Sequence, residues 1–408
     1  MLSLLAAAYA LNFLDRQIVN ILGGSIKADL HLSDAEFGLL TGTAFGLFYA
    51  TLGIPIARLA DRTQRVGVLS LSLLVWSSFT MLCGFVKSYP QLFLARMGVG
   101  IGEAGGTPPS QSLICDYFPD ARRATMLAIF NLGLPIGSAL GFFVGGALEA
   151  AIGWQWTMIV AGIPGIVLAI VIKLCVRELP RGTADGLRSG EIRGESFGRS
   201  LKTLLANRSY LLVITGAACA VFMIYVTNAW IPQFFARVHG MKTPEIGAWI
   251  ALCISVGGGI GVLGGGLVAD GLKRRQWAGD LWVPAITLVV AFAAFLLILF
   301  AKQVPVALGA MFVMYLFGFA WIGPTSATAQ RLAPVTSRSL ATGVQLLIGN
   351  IVSLTLGPPL VGYFSDRFLP VYGDESLRYA LLCVSWVGLL GAVCYIAARP
   401  RDAGAARA

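Results

Sequence analysis

Twelve apolar segments, each close to or above the length that crosses a bilayer, leave this chain few folds to adopt. They fall at about 1–23, 36–60, 67–87, 89–116, 123–150, 154–177, 209–236, 244–271, 281–302, 305–331, 338–365 and 376–398. A spanning helix needs about 20 mostly apolar residues, and lipid offers no hydrogen-bond partner to an open backbone. The alternative is a large water-soluble protein with twelve buried helices, and it would need charged outer faces. Only 12% of the residues are charged and 57% are hydrophobic, whereas soluble domains run to about 25% charged. The chain therefore reads as an all-α membrane protein with twelve transmembrane helices. Its first segment has no basic leader and no small-residue cleavage site, so it reads as a span and not as a signal peptide.

The formal net charge is +10, which by itself would admit nucleic acid or anionic lipid as a partner. The distribution decides between them. Most Lys and Arg residues lie in the even-numbered connections and the C-terminal tail, including Arg58, Arg62 and Arg65, Lys273, Arg274 and Arg275, and a run from Arg177 to Arg208. Such a bias marks the cytoplasmic side, which places both termini in the cytoplasm. The charge sets topology, the lipid bilayer is the expected partner, and nothing calls for nucleic acid.

The cysteines are scattered singly, mostly within spans, and form neither a metal-ligand pair nor a disulfide frame. The two histidines, His31 and His239, fall in connections. No GxSxG, HExxH or paired-Asp motif is present, so the sequence reads as neither an enzyme nor a metal or cofactor protein. Two non-identical halves with central charges also suit a carrier better than a symmetric channel.

Within the apolar segments, four full charges stand out: Asp15 and Arg16 in the first span, Arg96 and Glu103 in the fourth. An ionised group at mid-bilayer costs about 2.5–3.5 kcal/mol even on lenient scales, so such residues face water or one another and mark function. Arg96 and Glu103 are seven apart, on nearly the same helix face with roughly 10.5 Å of rise between them. They are too far apart to pair directly, but both can line one wall. Asn12 and Arg16 share a face of the first span, while Asp15 lies about 100° round. Arg16 is expected to enter a cavity, with Asp15 turned to an adjacent helix. A guanidinium is a permanently charged fork suited to phosphate or carboxylate. Glu103 is the better proton carrier, because a carboxyl group exchanges its proton and a guanidinium does not.

The polar stretch 179–207 separates a six-span half at 1–178 from a second at 208–408. It reads as a cytoplasmic linker, part of it an amphipathic helix with Phe197, Leu201, Leu204 and Leu205 on one face. A weak repeat relates the halves. Ala57-Arg58-Leu59-Ala60-Asp61-Arg62-Thr63-Gln64-Arg65 follows the second span, and Gly266-Leu267-Val268-Ala269-Asp270-Gly271-Leu272-Lys273-Arg274 follows the eighth. Matching loops on two six-span halves indicate pseudo-symmetric bundles, an arrangement that supports alternating access to a mid-membrane site.

These loops resemble the signature of the major facilitator superfamily, with Asp61, Arg62, Arg65, Asp270 and Arg274 matching and Ala57 and Gln64 replacing two glycines. The resemblance covers nearly the whole chain. It implies a latch between the halves formed by those five residues. Asn12-Phe13-Leu14-Asp15-Arg16 and Arg96-Met97-Gly98-Val99-Gly100-Ile101-Gly102-Glu103-Ala104 further resemble the spinster branch of that superfamily. This implies a bacterial inner-membrane transporter of lysolipids (lysophospholipids or sphingosine phosphate). The carboxylate of Glu103 inside a span points to protons as the coupling ion, and no cofactor is expected. A drug or organic-anion transporter, or a uniporter, is the alternative.

Asn131-Leu132-Gly133-Leu134-Pro135-Ile136-Gly137-Ser138-Ala139-Leu140-Gly141 approximates the superfamily's antiporter motif. Its glycines read first as a close-packing face, and Asn131 can reach the cavity. The second half has almost no deep charges but many aromatic and Met residues. A cavity charged on one wall and apolar on the other suits an amphiphile. Substrate contacts are accordingly expected from Asn12, Arg16, Arg96, Glu103 and Asn131, and from Tyr225, Asn228, Trp321 and Gln345 on the apolar side. Proton coupling is expected at Glu103 and Asp15. The protein is expected to act as a monomer.

Overall fold

The computed structural model describes residues 1–180, 197–275, 279–333 and 338–398, which are almost wholly helical. The helices are α1 (Leu2–Ile21), α2 (Gly23–Leu30), α3 (Asp34–Thr41), α4 (Thr43–Arg62), α5 (Arg65–Cys83), α6 (Tyr89–Glu103), α7 (Thr107–Tyr117), α8 (Asp120–Asn131) and α9 (Gly133–Cys175). Then come α10 (Phe197–Ala206), α11 (Arg208–His239), α12 (Thr243–Leu252), α13 (Gly259–Arg274), α14 (Gly279–Phe300), α15 (Val304–Phe319), α16 (Ile322–Leu332), α17 (Arg338–Tyr372) and α18 (Ser376–Ala397).

Eight stretches are long and apolar enough to cross a membrane on length and composition. Two of them, Thr125–Cys175 and Gly343–Ala397, are of double length. The first turns at Gly153, whose φ of 78° is a left-handed conformation that costs glycine little. The second turns at Gly373, with φ 54°. The charged segments complete the twelve expected from sequence. One is α1. The other is the pair α6 and α7, which separate at 104–106. Pro108 and Pro109 sit in the first turn of α7, where the missing N–H breaks no helical bond.

The chain forms two compact units. The first comprises Met1–Ile192, Thr227–Leu252 and Leu354–Leu377; the second comprises Arg193–Val226, Cys253–Ser353 and Arg378–Ala408. In the first, α9 packs along α1 and α5, and α6 packs along α4 and α5. Small residues allow these backbones to approach. The glycines of the Asn131–Gly141 segment pack as the sequence suggests. A Cβ on Gly137 would lie 2.0 Å from the Ala10 carbonyl oxygen, and one on Gly141 2.7 Å from that of Leu14. Gly137→Ala is therefore expected to force α1 and α9 apart, at about 1–3 kcal/mol for an overpacked contact. Its melting temperature in detergent should fall by several degrees. Gly53→Ala, at a position with nothing within 4 Å, should leave the melting temperature unchanged. Equal melts for the two variants would refute this account of the α1–α9 seam.

A second tie in this unit lies where α3 begins. The Asp366 carboxylate accepts from the Asp34 and Ala35 amides at 2.9 and 2.8 Å, the interaction a helix N-terminus favours. Asp34 in turn accepts from both terminal nitrogens of Arg237 at 2.9 and 2.8 Å, from the Ser365 hydroxyl at 2.6 Å, and from Lys27. Burial pulls the Lys27 ammonium below its usual pKa, and Asp34 offsets part of that.

The second unit is built on a core that includes Tyr210, Val213, Ile214, Leu281, Leu288, Trp321 and Tyr395. Its buried hydroxyls are satisfied: Tyr210 donates to the Ala341 carbonyl at 2.8 Å, and Thr325 and Tyr395 share a bond of 2.8 Å. In α10, Leu204 enters this core while Leu205 is 42% exposed. The Phe197 side chain and residues 181–196 of the expected linker lie outside the described residues.

Candidate functional site

Three of the four intramembrane charges expected from sequence converge with their neighbours inside the first unit, and the fourth lies beside them. Arg16 on α1 donates from Nε to Glu103 Oε2 on α6 at 2.7 Å, and the two side chains are 7% and 0% exposed. The Arg16 guanidinium also lies 5.0 Å from the Phe13 ring centroid, 4.8 Å from that of Phe45 and 4.5 Å from that of Tyr49. Aromatic faces attract a desolvated cation. Arg16 is thus enclosed by three rings and a carboxylate, rather than open to a cavity as its helix face suggests.

Two glycines of α6 explain how these helices come so close. A Cβ on Gly100 would lie 2.6 Å from the Phe45 carbonyl oxygen on α4, and one on Gly102 2.6 Å from the Trp76 amide nitrogen on α5. Arg96 is 2% exposed. Among the described residues its Nε and Nη1 have no hydrogen-bond partner. Its guanidinium lies 5.3 Å from the centroid of the same Phe45 ring. Arg96 and Glu103 do not pair, in keeping with their seven-residue spacing.

Asp15 turns away from Arg16 as helical geometry requires. It faces α5, where Thr80 donates to its Oδ2 at 3.2 Å, and its Oδ1 has no partner among the described residues. Asn12, 3% exposed, lines a cavity of about 10 Å³ with Tyr9, Trp76, Thr107, Ser110 and Phe130, on the scale of one water molecule.

The other expected residues are not part of this cluster. Asn131 is exposed. Tyr225 donates to Asn350 Oδ1 at 3.2 Å in the second unit. Trp321 belongs to that unit's core, and Gln345 is buried there at 6% exposure. Asn228 is buried in the first unit at 5% exposure. Of the five loop residues, Arg62, Asp270 and Arg274 are exposed, and the Asp61 side chain lies outside the described residues. Arg65 is 1% exposed and engaged inside the first unit by Asp116 and Glu178.

Sequence reasoning missed Phe45, Tyr49 and Thr80. Phe45 and Tyr49 are four apart, so they share a helix face, but an apolar span is full of such pairs. Only the arginines beneath them set these two apart.

Residues 5–355 match the family model of the Major Facilitator Superfamily. An MFS-type efflux pump of Mycolicibacterium smegmatis (strain ATCC 700084 / mc(2)155) is 32% identical over 398 residues, covering 97% of this chain and 91% of that protein. The sphingosine-1-phosphate transporter SPNS2 of Danio rerio is 27% identical over 417 residues, covering 97% and 82%. A crystal structure of a bacterial homolog to the human lysosomal transporter Spinster, inward-facing and unoccupied, matches with a TM-score of 0.88 at 27% identity, covering 97% of this chain and 96% of that one. The fold, the buried charges on α1 and α6 and these likenesses agree: the chain belongs to the Major Facilitator Superfamily, is similar to the spinster transporters within it, and is a membrane transporter rather than an enzyme.

Proposed function

We propose that this transporter moves a lysolipid or similar amphipathic anion by alternating access, with protons as the coupling ion. The observation that carries this reading is the buried Arg16–Glu103 pair at 2.7 Å. Arg16 holds one anion at a time well, and in this state the anion is Glu103. A phosphate head group and the ionised carboxylate therefore compete for one guanidinium. Protonation of Glu103 removes the competitor and frees Arg16 for the head group. Loss of that proton returns Glu103 to Arg16 and expels the substrate. Ligands shift such equilibria only by binding one state better than another, and this competition supplies the difference.

Asp15 is proposed as the second proton site, and Asn12 and Arg96 as neighbours that tune the head-group position. The acyl tail is assigned to the apolar second half, with Tyr225, Asn228, Trp321 and Gln345 as its contacts. The loop residues Asp61, Arg62, Asp270 and Arg274 are assigned to the latch. Both termini are placed in the cytoplasm of a bacterial cell, in its inner membrane, and the transporter is taken to act as a monomer.

The test is a binding panel on wild type and Arg16→Ala. A charged hydrogen bond contributes about 1.5–3 kcal/mol, or roughly 10- to 150-fold in affinity. Arg16→Ala should weaken lysophosphatidate and sphingosine phosphate by that factor and leave uncharged monoacylglycerol unaffected. Equal losses for all three lipids would remove the head-group role. A second reading, a drug or organic-anion exporter, is favoured by the 32% identity to an MFS-type efflux pump. Inhibition of transport by hydrophilic organic anions but not by lysolipids would select it. Accumulation indifferent to an imposed proton gradient would select a uniporter.

A further inference from the structure

We infer that the junction of α10 and α11 is a docking surface for an anionic phospholipid of the bilayer, with Lys202 and Arg208 on its head group and Leu205 against its acyl chains.

The apolar arc of α10 is wider than the core it meets. Leu201, Leu204 and Leu205 fall within about 100° of the helix. Leu204 is 1% exposed and belongs to the core of the second unit, Leu201 is half-buried, and Leu205 is 42% exposed. Lys202 is exposed and lies about 60° beyond Leu205. An exposed leucine flanked by a cation is what an interfacial helix presents to a membrane.

The turn into α11 is held on several sides, which fixes the direction of this face. Asn207 Oδ1 accepts from the Tyr210 amide at 3.2 Å, Asn207 Nδ2 donates to the Leu332 carbonyl at 3.3 Å, and the Tyr210 hydroxyl donates to the Ala341 carbonyl at 2.8 Å. The depth of the junction follows from length. The 32 residues of α11 make about 48 Å of helix, against about 30 Å of hydrocarbon. A centred helix of that length projects about 9 Å at each end. Arg208, its first residue, therefore lies among the head groups. Arg208, Leu211 and Thr215 are all exposed at i, i+3 and i+7, so Arg208 heads the stripe that the first turns of α11 show to lipid.

The charges here call for an anion. Among the described residues no carboxylate pairs with Lys202 or Arg208. The first turn of α11 has no acidic residue, so the helix dipole adds to the positive field. Leu332, which accepts from Asn207, follows Arg331, and Arg331 shares the Asp280 carboxylate with Lys273 at 2.7 and 3.7 Å. Two cations on one carboxylate leave the neighbouring surface positive as well. A phospholipid phosphate fits this set, since a guanidinium fork takes two phosphate oxygens and an ammonium adds a point charge.

The test is native mass spectrometry of the detergent-purified protein, titrated with phosphatidylglycerol and, separately, with phosphatidylcholine. A basic side chain at an anionic lipid head group is worth about fivefold in affinity. Lys202→Gln with Arg208→Gln should weaken phosphatidylglycerol by about 30-fold and leave phosphatidylcholine unchanged. Leu205→Ser should weaken both lipids. Lys87→Gln with Lys242→Gln removes the same charge from two exposed positions elsewhere and should bind like wild type. Exposed substitutions of this kind should melt like wild type. If the double variant melts early, Lys202→Gln alone carries the comparison, at about fivefold.

A wild type without preference for phosphatidylglycerol, or equal losses in the two charge-matched pairs, overturns the site. Loss of phosphatidylglycerol in Arg16→Ala also overturns it, by seating the lipid in the buried cluster of the first unit. A dimer that disappears in Leu205→Ser does the same, by making this face a contact between copies. None of these results bears on the proton role of Glu103.

Discussion

Glu103→Gln is expected to abolish the dependence of transport on a proton gradient. Gradient-driven accumulation should fall at least tenfold, while passive exchange of substrate down its own gradient continues. The physical reason lies in what the amide keeps and what it loses. Gln has nearly the same volume as Glu and can still accept a hydrogen bond from Arg16 Nε, now 2.7 Å from Glu103 Oε2. It cannot bind or release a proton, and it does not compete as an anion for the guanidinium. The variant therefore resembles the protonated state permanently. A charge-assisted bond is worth about 1.5–3 kcal/mol against roughly 0.5–1.5 for a neutral one. The difference is about 1 kcal/mol, a several-fold bias toward the substrate-binding state even before the lost proton is counted. Tighter binding of an anionic lysolipid with slower net transport is the expected signature. The measurement is uptake into proteoliposomes with and without an imposed gradient, alongside equilibrium binding. Full retention of gradient-driven uptake would sink the proton role of Glu103 and leave Asp15 as the carboxyl group to examine. Stability supplies a separate check. Removing one partner of a buried ion pair outright costs about 3–5 kcal/mol, so Glu103→Ala should melt well below Glu103→Gln.

Much of this cluster is legible in the sequence, because a charge inside an apolar span is a local signal that needs no tertiary information. Helical geometry alone separates Asp15 from Arg16 and rules out an Arg96–Glu103 pair, and both expectations hold. The same geometry could not give the partner of Arg16. Glu103 is 87 residues away, on a helix whose approach depends on Gly100 and Gly102 meeting particular backbone atoms of α4 and α5. Periodicity could not pick out Phe45 either, since a phenylalanine in a span reads as core until two cations are found beneath it. The tie at Asp34 escaped for a related reason. Asp34, Arg237 and Asp366 lie near the ends of different apolar segments, where charges are ordinary and pairing is decided by which ends meet. Motif logic treats the loop as one latch and cannot see burial, which divides its members, with Arg62 exposed and Arg65 enclosed.

That division leads to the largest expected loss of stability, at Arg65→Ala. Arg65 is the first residue of α5, 1% exposed, and its guanidinium is used on three sides. Nε donates to Glu178 Oε1 at 2.8 Å, Nη1 to the Ser112 hydroxyl at 3.0 Å and to Asp116, and Nη2 to the Leu179 carbonyl at 2.6 Å. Glu178 also accepts from the Val66 amide at 2.8 Å, so the same carboxylate caps the start of α5. One side chain therefore joins α5, α7 and the chain that leaves α9. Truncation to alanine deprives two carboxylates of their shared cation, and a broken buried pair costs about 3–5 kcal/mol. The variant should express poorly and melt far below wild type in detergent. Arg65→Lys should recover only part of the loss, because an ammonium is a point charge and cannot reach three sides as a planar fork does. Arg62→Ala, at the exposed neighbour, should melt like wild type, as most exposed substitutions do. If Arg65→Ala instead melts like wild type but alters transport, Arg65 belongs to the moving latch and the clamp is incidental.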